Sequence, residues 1–537
     1  MKRFIQSGLL LTLALAQAAT WAADAGCSGV DPVAVSIDPN QVLRNNVPRG
    51  LFGFNLPWAD FQQGFTEDGK VRADVLAWLK PFGGALYRYP GGTPSNWFEW
   101  QKAVGEQRTK QVFDYDRPVL ATFGIDEMLQ FMNQVDGRAI FTLNLQGPYK
   151  QTLDADWAVQ NSMGWMQHIK DSKLAHCQNM ASAECRVAYW EMGNELDMSK
   201  RWQSQPYGAR VQAVLNAAQD KFPEARMLVG SQTSPWGRNP NQEADFDQQV
   251  VRQMVGTDAK QKLKARSLAG ANKPAEINPN IYGVAFHIYY DGQDVPTSMG
   301  WANRLHNQWL QQGKDAGTRG SDADNPGNHI VVTEHALWPG FPADNKWDGK
   351  LALASGGQGA LSTADWILTA AQTPYIEGMN WHAIETGAAW RLFQYVPAAN
   401  GKPAQVFPLP VYWGQRTLRD AWLDDLIKVT PAVTGRVANY SYGLRMAAMR
   451  SNDHSQTSLL GVNRSTQPVL LQLKWPVAAS KLNMLSTAVG ERTAMNTPDA
   501  PNAITQKQSQ ISVAANQPTM VCVPAMSVFS LASKSGQ

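Results

Sequence analysis

The chain has 537 residues, too many for one small domain and enough for a large core plus an accessory domain. Hydrophobic residues make up 44% and charged residues 17%, a globular composition on the low-charge side. The net charge is +3 and no block of like charge occurs, so neither nucleic acid nor an anionic membrane is implied as a partner.

The N-terminus reads as an export signal. Met1-Lys2-Arg3 is a short basic region, an apolar stretch runs from Leu9 to about Ala19, and Ala16-Gln17-Ala18 or Thr20-Trp21-Ala22 offers a cleavage site. The apolar stretch is too short for a mature membrane helix, and no other apolar run is long enough for one. Asp24-Ala25-Gly26 lacks the Leu expected before a lipidated Cys27. The expected product is a secreted or periplasmic protein with no membrane attachment after cleavage. Four cysteines, Cys27, Cys177, Cys185 and Cys522, fit an oxidising compartment. A local Cys177–Cys185 bridge would leave Cys27 to pair with Cys522. Four reduced thiols are the alternative, and no CxxC or HExxH spacing suggests a metal.

Eight apolar runs follow in chain order: 50–58, 85–91, 139–145, 187–195, 227–234, 281–290, 329–337 and 378–384. Several are nearly continuous in apolar residues, as parallel strands covered on both faces should be. Amphipathic helical patterns lie between them, at 126–135, 154–171, 206–222 and 364–372. The alternation predicts an α/β fold, a (β/α)₈ barrel. An open doubly wound sheet would need a phosphate loop after the first strand, and Gly53-Phe54-Asn55-Leu56-Pro57 is not one. After about residue 425 the pattern changes to short alternating stretches separated by Asn, Gly, Ser and Pro, at 440–449, 457–462, 469–475, 511–514 and 520–524. These predict a C-terminal antiparallel β-sandwich. The early run at 32–38 also reads as a strand, and a Cys27–Cys522 bridge would carry it into the sandwich. The expected division is a leader over 1–22, a strand joining the sandwich over 23–48, a barrel over 49–425 and a sandwich over 426–537.

Barrel enzymes carry their chemistry at the C-terminal ends of the strands. Those ends offer Asn55 and Trp58; Arg88 and Tyr89; Asn144 and Gln146; Asn194 and Glu195; Gln232, with Trp236 beyond; His287, Tyr289 and Tyr290; Glu334, with His335 and Trp338 beyond; and Trp381 and His382. A purely structural barrel has no reason to gather so many polar groups at one rim. A carboxylate at the end of a buried strand costs several kcal/mol unless it is paired. Two of them, Glu195 on the fourth run and Glu334 on the seventh, suggest glycoside hydrolysis, which needs an acid and an ionised partner across the scissile bond. Glu195 is read as the acid. Glu334 is read as the nucleophile, held ionised by Arg88 or Tyr289. On facing strands their carboxyls can sit about 5–5.5 Å apart, the spacing of a retaining enzyme. Trp58, Trp97, Trp236, Trp338 and Trp381 are candidate sugar platforms, some of them ordinary packing.

The order Arg-Tyr-Pro-Gly-Gly (88–92), Gly-Asn-Glu (193–195), Phe-His-Ile-Tyr-Tyr (286–290) and Thr-Glu-His (333–335) resembles the retaining glycoside hydrolases with catalytic Glu on strands four and seven. It is most similar to the α-L-arabinofuranosidases of family 51, and the stretches 123–129 and 141–145 share the likeness. The resemblance covers about residues 50–390. It implies Glu195 as acid/base and Glu334 as nucleophile, with Asn194, Arg88, His287 and Tyr289 around them. The family carries an acidic residue at the first strand tip, where this chain has Phe54-Asn55-Leu56, and Trp-Asn after the nucleophile, where this chain has His335-Ala336-Leu337-Trp338.

The reading is an exported retaining glycosidase acting on a poly- or oligosaccharide, with Asn55, Trp58, Arg88, Asn144, Asn194, His287, Tyr289, Trp338 and Trp381 as sugar contacts. Two carboxyls supply acid, base and nucleophile, so no cofactor is expected. The alternatives are a xylosidase, glucuronidase or exopolysaccharide hydrolase of a related family, or a non-catalytic carbohydrate-binding or matrix protein on the same fold.

Overall fold

A computed structural model describes residues 25–58, 64–113, 116–198, 202–232, 243, 245–255, 277–290, 295–315, 329–343, 346–386, 388–399, 401–435, 442–476, 481–513 and 518–533. The leader and Trp236 lie outside them. Among the described residues no helix is long and apolar enough to cross a membrane.

The chain opens with β1 (Pro32–Arg44) and then builds eight barrel strands. These are β2 (Gly53–Asn55), β3 (Leu86–Tyr89), β4 (Arg138–Thr142), β5 (Val187–Glu191), β6 (Met227–Gly230), β7 (Ile281–Tyr290), β8 (Ile330–Leu337) and β9 (Ile376–Trp381). They close in sequence order, with β9 pairing β2 in parallel. Each overlaps one of the eight predicted runs, with β4 starting one residue and β9 two residues early. Several are shorter than expected, because the polar tips lie past the last ladder hydrogen bond.

Helices cover the outside. α1 (Ala73–Leu79), α2 (Ile125–Val135), α3 (Ala155–Asp171) and α4 (Ser204–Lys221) follow β2, β3, β4 and β5 in turn. Asp154 caps α3 by accepting from the Trp157 amide at 2.9 Å, satisfying one of the free N–H groups of the first turn. α5 (Phe246–Val255), α6 (Val295–Asp315), α7 (Asp348–Ala354) and α8 (Gly357–Ala371) complete the ring. α8 is buried along its whole length, because the C-terminal domain packs on its outer side.

α9 (Pro410–Arg419) leads into the second domain. Its strands are β10 (Asp425–Thr430), β11 (Leu444–Arg450), β12 (Thr457–Asn463), β13 (Val469–Lys474), β14 (Lys481–Ala488), β15 (Lys507–Ser512), β16 (Thr519–Val523) and β17 (Ser527–Ser533). They form one path, β15-β14-β17-β12-β11-β10-β1-β13-β16. Leu482 and Met484 near one end share a core with Val521 and Val523 at the other, so the path folds over itself as a sandwich. β1 sits inside it, antiparallel to β10 and parallel to β13. The parallel pair departs from the expected all-antiparallel arrangement. The whole barrel separates these two strands in sequence, so no tight turn forces them antiparallel.

Cys27–Cys522 and Cys177–Cys185 are both bridged. The first ties the start of β1's segment to β16. The domains are joined further by Asp365 on α8. It is fully buried and accepts from Arg445 and Arg464, each at 2.6 Å, and from Tyr442.

Candidate active site

The barrel lumen is filled by Leu86, Ile140, Ala188, Tyr189, Leu228, Ala285 and Val331. Strand side chains alternate with period two, so the residue two positions later faces the lumen one layer higher. That step leads from Leu86 to Arg88, from Ile140 to Thr142, from Tyr189 to Glu191, from Ala285 to His287 and from Val331 to Thr333. A polar layer therefore lies directly on an apolar one.

Glu334 would face outward under strict alternation. The β7–β8 register prevents this. Ala285 pairs with Val331 but His287 pairs with Glu334, so β8 holds one extra residue between these pairs. Such a bulge bends the strand and re-aims its side chains. It turns both Thr333 and Glu334 inward. His335 then faces out, where it stacks on Tyr290, so neither ring joins the rim group proposed from the sequence. Tyr290 hydrogen-bonds Thr363 on α8 at 3.2 Å.

Glu195 arrives differently. β5 ends at Glu191, and Glu195 lies four residues past it in a left-handed turn, with φ of 80° at Gly193 and 48° at Glu195. The positive φ at Gly193 favours glycine there, and a Cβ would also lie 2.5 Å from Leu196 Cδ1, which would have to move. The non-glycine αL conformation at Glu195 costs roughly 1–3 kcal/mol and needs outside support. Asn96 supplies it, donating to the Asn194 carbonyl at 2.8 Å and accepting from the Asn194 amide at 3.0 Å.

Arg88 is the hub. Fully buried, it donates from Nε to Glu191 at 2.6 Å, from Nη1 to Glu334 Oε2 at 3.0 Å and from Nη2 to Asn194 Oδ1 at 2.7 Å. Glu334 Oε2 also accepts from Asn55 Nδ2 at 3.2 Å, and its Oε1 accepts from the Tyr289 hydroxyl. Gly91 allows Asn55 to sit there, since a Cβ at that position would lie 1.9 Å from Asn55 Oδ1. Glu191 accepts from Thr142 at 2.7 Å and from Thr333 at 2.6 Å. Thr333 thus spends its one proton on Glu191. It must accept from His287 Nε2, 3.1 Å away, which makes that nitrogen a donor. The other ring nitrogen, Nδ1, faces Glu195 Oε1 at 3.0 Å.

These contacts set the charges. Burial alone would raise the Glu334 carboxyl, but His382, His287 and Arg88, with the Tyr289 hydroxyl, bring it down to about 2. Glu191 is also lowered to about 2, burial being outweighed by Arg88 and His287. Burial opposes the charged form of His287, yet the Glu334 charge, nearby Glu191 and the bond to Glu195 raise it to about 9. Burial and Glu334 push the Tyr289 hydroxyl well up, so it stays a donor. His335 goes the other way: burial and His382 lower it to about 3, and it stays neutral.

Glu195, His287 and Glu334 offer polar atoms all within 4.8 Å of one another. A metal ion could be held by such a set. Here a cation would face the Arg88 guanidinium and the positive His287, and both oxygens of Glu334 already have donors. The chemistry favours proton handling over metal binding.

Other residues singled out from the sequence serve structure. Asn144 donates to the carbonyls of Phe98 and Gly147 and accepts from the Gln146 and Gly147 amides, closing its own loop. Trp58 donates to the Pro94 carbonyl at 3.2 Å and packs on Phe98 and Phe113. Trp381 is fully buried in the main core and presents no face to a sugar. Trp338 is partly exposed and leans on Tyr289. Glu191, Thr142, Thr333 and Asn96 were not singled out. For the first three a signal existed: each stands two residues beyond an apolar lumen residue. Asn96 lies in an irregular loop with no such cue.

A family model described as the alpha-L-arabinofuranosidase 1 domain matches residues 78–265. That segment holds Arg88, Glu191, Asn194 and Glu195 but stops before His287 and Glu334. Among solved structures, the thermostable family 51 α-L-arabinofuranosidase from Thermotoga petrophila superposes with a TM-score of 0.68 at 14% identity, covering 93% of this chain and 100% of that one. The family 51 α-L-arabinofuranosidase from Bifidobacterium longum gives 0.68 at 15% identity, with 93% and 99% covered. A family 44 xyloglucanase from Paenibacillus polymyxa gives 0.54 at 9%, with 94% and 100% covered. At such identities the likeness is one of fold. No match is found among curated proteins. The chain is similar to the α-L-arabinofuranosidases, in sequence over residues 78–265 and in fold over nearly its whole length, and these relationships support a glycosidase.

Proposed function

We propose that this chain is an exported, retaining glycosidase of α-L-arabinofuranosidase type, working by double displacement. One observation carries the reading: carboxylate oxygens of Glu195 and Glu334 lie within 4.8 Å of each other in opposite environments. Glu334 is held anionic by three donors, with 7% of its side chain exposed. Glu195 has 21% exposed and, among the described residues, a single side-chain partner, the His287 imidazole. Close carboxyls of this kind suit a retaining mechanism, since an inverting enzyme leaves room for water between them.

Glu334 attacks the anomeric carbon as Glu195 gives its proton to the departing oxygen, forming a glycosyl ester on Glu334. Glu195 then takes a proton from water, which attacks the same carbon and frees Glu334. His287 orients Glu195, and Tyr289 and Arg88 orient Glu334. Asn194 keeps a buried Nδ2 with no hydrogen-bond partner among the described residues, a donor suited to a sugar hydroxyl. The barrel over 49–425 carries the chemistry, and the 426–537 sandwich with the 23–48 strand is its accessory domain. The two disulfides and the basic-apolar leader support export.

A related-family hydrolase is the second reading, favoured by Asn55 in place of an acidic residue, where it binds Glu334. A panel of aryl arabinofuranoside, xyloside, glucuronide and galactoside separates the two. Glu334→Ala should abolish turnover of the active member, with azide partly restoring it. Unchanged turnover would overturn the assignment.

A further inference from the structure

Phe341 is 79% exposed, well above every other large exposed hydrophobic among the described residues. Single exposed apolar side chains are ordinary. This one ends a line of rings that begins at the nucleophile. Tyr289, which donates to Glu334, lies 5.1 Å from Trp390. Trp390 stacks on Trp338 at 5.7 Å and lies 5.3 Å from Trp347, and Trp338 meets the edge of Phe341 at 4.9 Å. Trp390 is pinned from behind, its Nε1 donating to the Leu337 carbonyl at 2.8 Å. Pro339 and Pro342 flank the Gly340-Phe341 turn and fix its backbone, so holding the ring outward costs little further entropy.

We propose that Phe341 is the outer platform of a carbohydrate subsite, taking the apolar C–H face of a sugar further along a chain whose scissile bond lies at Glu195 and Glu334. The occupant is a polysaccharide or a longer oligosaccharide, not a single glycoside. Continuity with the carboxylate site argues for sugar over a protein partner, because ring contacts run unbroken from Tyr289 through Trp390 and Trp338 to Phe341. This inference rests on the glycosidase reading but is tested apart from it.

Native gel electrophoresis through arabinan, arabinoxylan or xyloglucan measures binding to the polymer. Wild type should be retarded by at least one polymer, and Phe341→Ala should bind that polymer about fivefold more weakly, the loss expected for one ring contact, with Phe341→Trp restoring it. On a cleaved polymer the Ala variant should raise KM with kcat held, and its kinetics on a small aryl glycoside should match wild type. No retardation of wild type, equal retardation of the Ala variant, or an equal loss on the small glycoside would each overturn the subsite. Binding with no turnover of any glycoside would leave the subsite standing and sink the catalytic reading instead.

Discussion

Arg88 Nε lies 2.6 Å from Glu191 Oε2, the shortest of the three bonds this buried guanidinium makes among the described residues, and Glu191 itself is almost wholly shielded from solvent. The pair forms a floor beneath the two rim carboxylates. Arg88 shares its charge between Glu191 below and Glu334 above, so the position of one acid depends on the presence of the other.

Glu191→Gln should therefore disturb both stability and chemistry. Removing one charge of a buried pair costs about 3–5 kcal/mol, because the partner is left under-compensated. Urea denaturation should show a loss near the lower end of that range, since Gln keeps some hydrogen bonding. Arg88 would shift toward Glu334, and kcat should fall more than KM changes. A variant with wild-type midpoint and wild-type kcat would show that Glu191 is a spectator.

Tyr289→Phe removes the only hydroxyl donor to Glu334 Oε1 that the described contacts show. A hydrogen bond to a buried charge is worth about 1.5–3 kcal/mol, so kcat/KM should drop roughly 10- to 100-fold. The acid limb of the pH profile should move upward, because one of the groups lowering Glu334 is gone. An unmoved acid limb would argue against Tyr289 as the partner that tunes Glu334.

The pH dependence of stability should have two limbs. Glu334 and Glu191 are lowered to about 2, so the unfolded chain binds more protons than the folded one between there and the ordinary carboxylate range. Their stabilisation is full above the unfolded value, about 4.3, and fades as pH falls toward 2. His287 is raised to about 9, so its contribution is full below its unfolded value, about 6.5, and is lost as pH rises through 9. Thermal midpoints should peak between these limbs, and His287→Gln should flatten the alkaline limb and move the acid one upward, since His287 also helps lower Glu334 and Glu191. An alkaline limb unchanged in that variant would place its origin elsewhere.

Much of this was legible from the residues because lumen and rim follow simple periods. The eight apolar runs hold most of each of the eight strands, and Arg88, His287 and Tyr289 face the lumen as the period of their runs implies. The limits were physical too. Glu191 sits inside an apolar run and looks like an interruption, whereas it is a charge paired across the lumen with a residue 103 positions earlier. Glu334 faces inward only through a bulge, which no periodicity announces. Asn144 was placed at a strand tip correctly but spends its bonds on its own turn. In the sandwich, Lys507–Ser512 was missed over most of its length because an edge strand exposed along nearly its whole length has no alternation to read.

The joint between the domains provides the last test. Asp365 carries the only carboxylate that the described contacts place against Arg445 and Arg464, and all three side chains are buried. Asp365→Ala would leave two guanidiniums in the interior without it, at a cost of about 3–5 kcal/mol. The barrel and sandwich also share Cys27–Cys522, β1 and a continuous core, so the variant should still fold in the oxidised protein. Its denaturation curve should split into two steps, the sandwich losing structure first, since α8 is held to that domain by Asp365. A single cooperative transition with the wild-type midpoint would show that apolar contact alone joins the domains and that the ion cluster adds nothing to it.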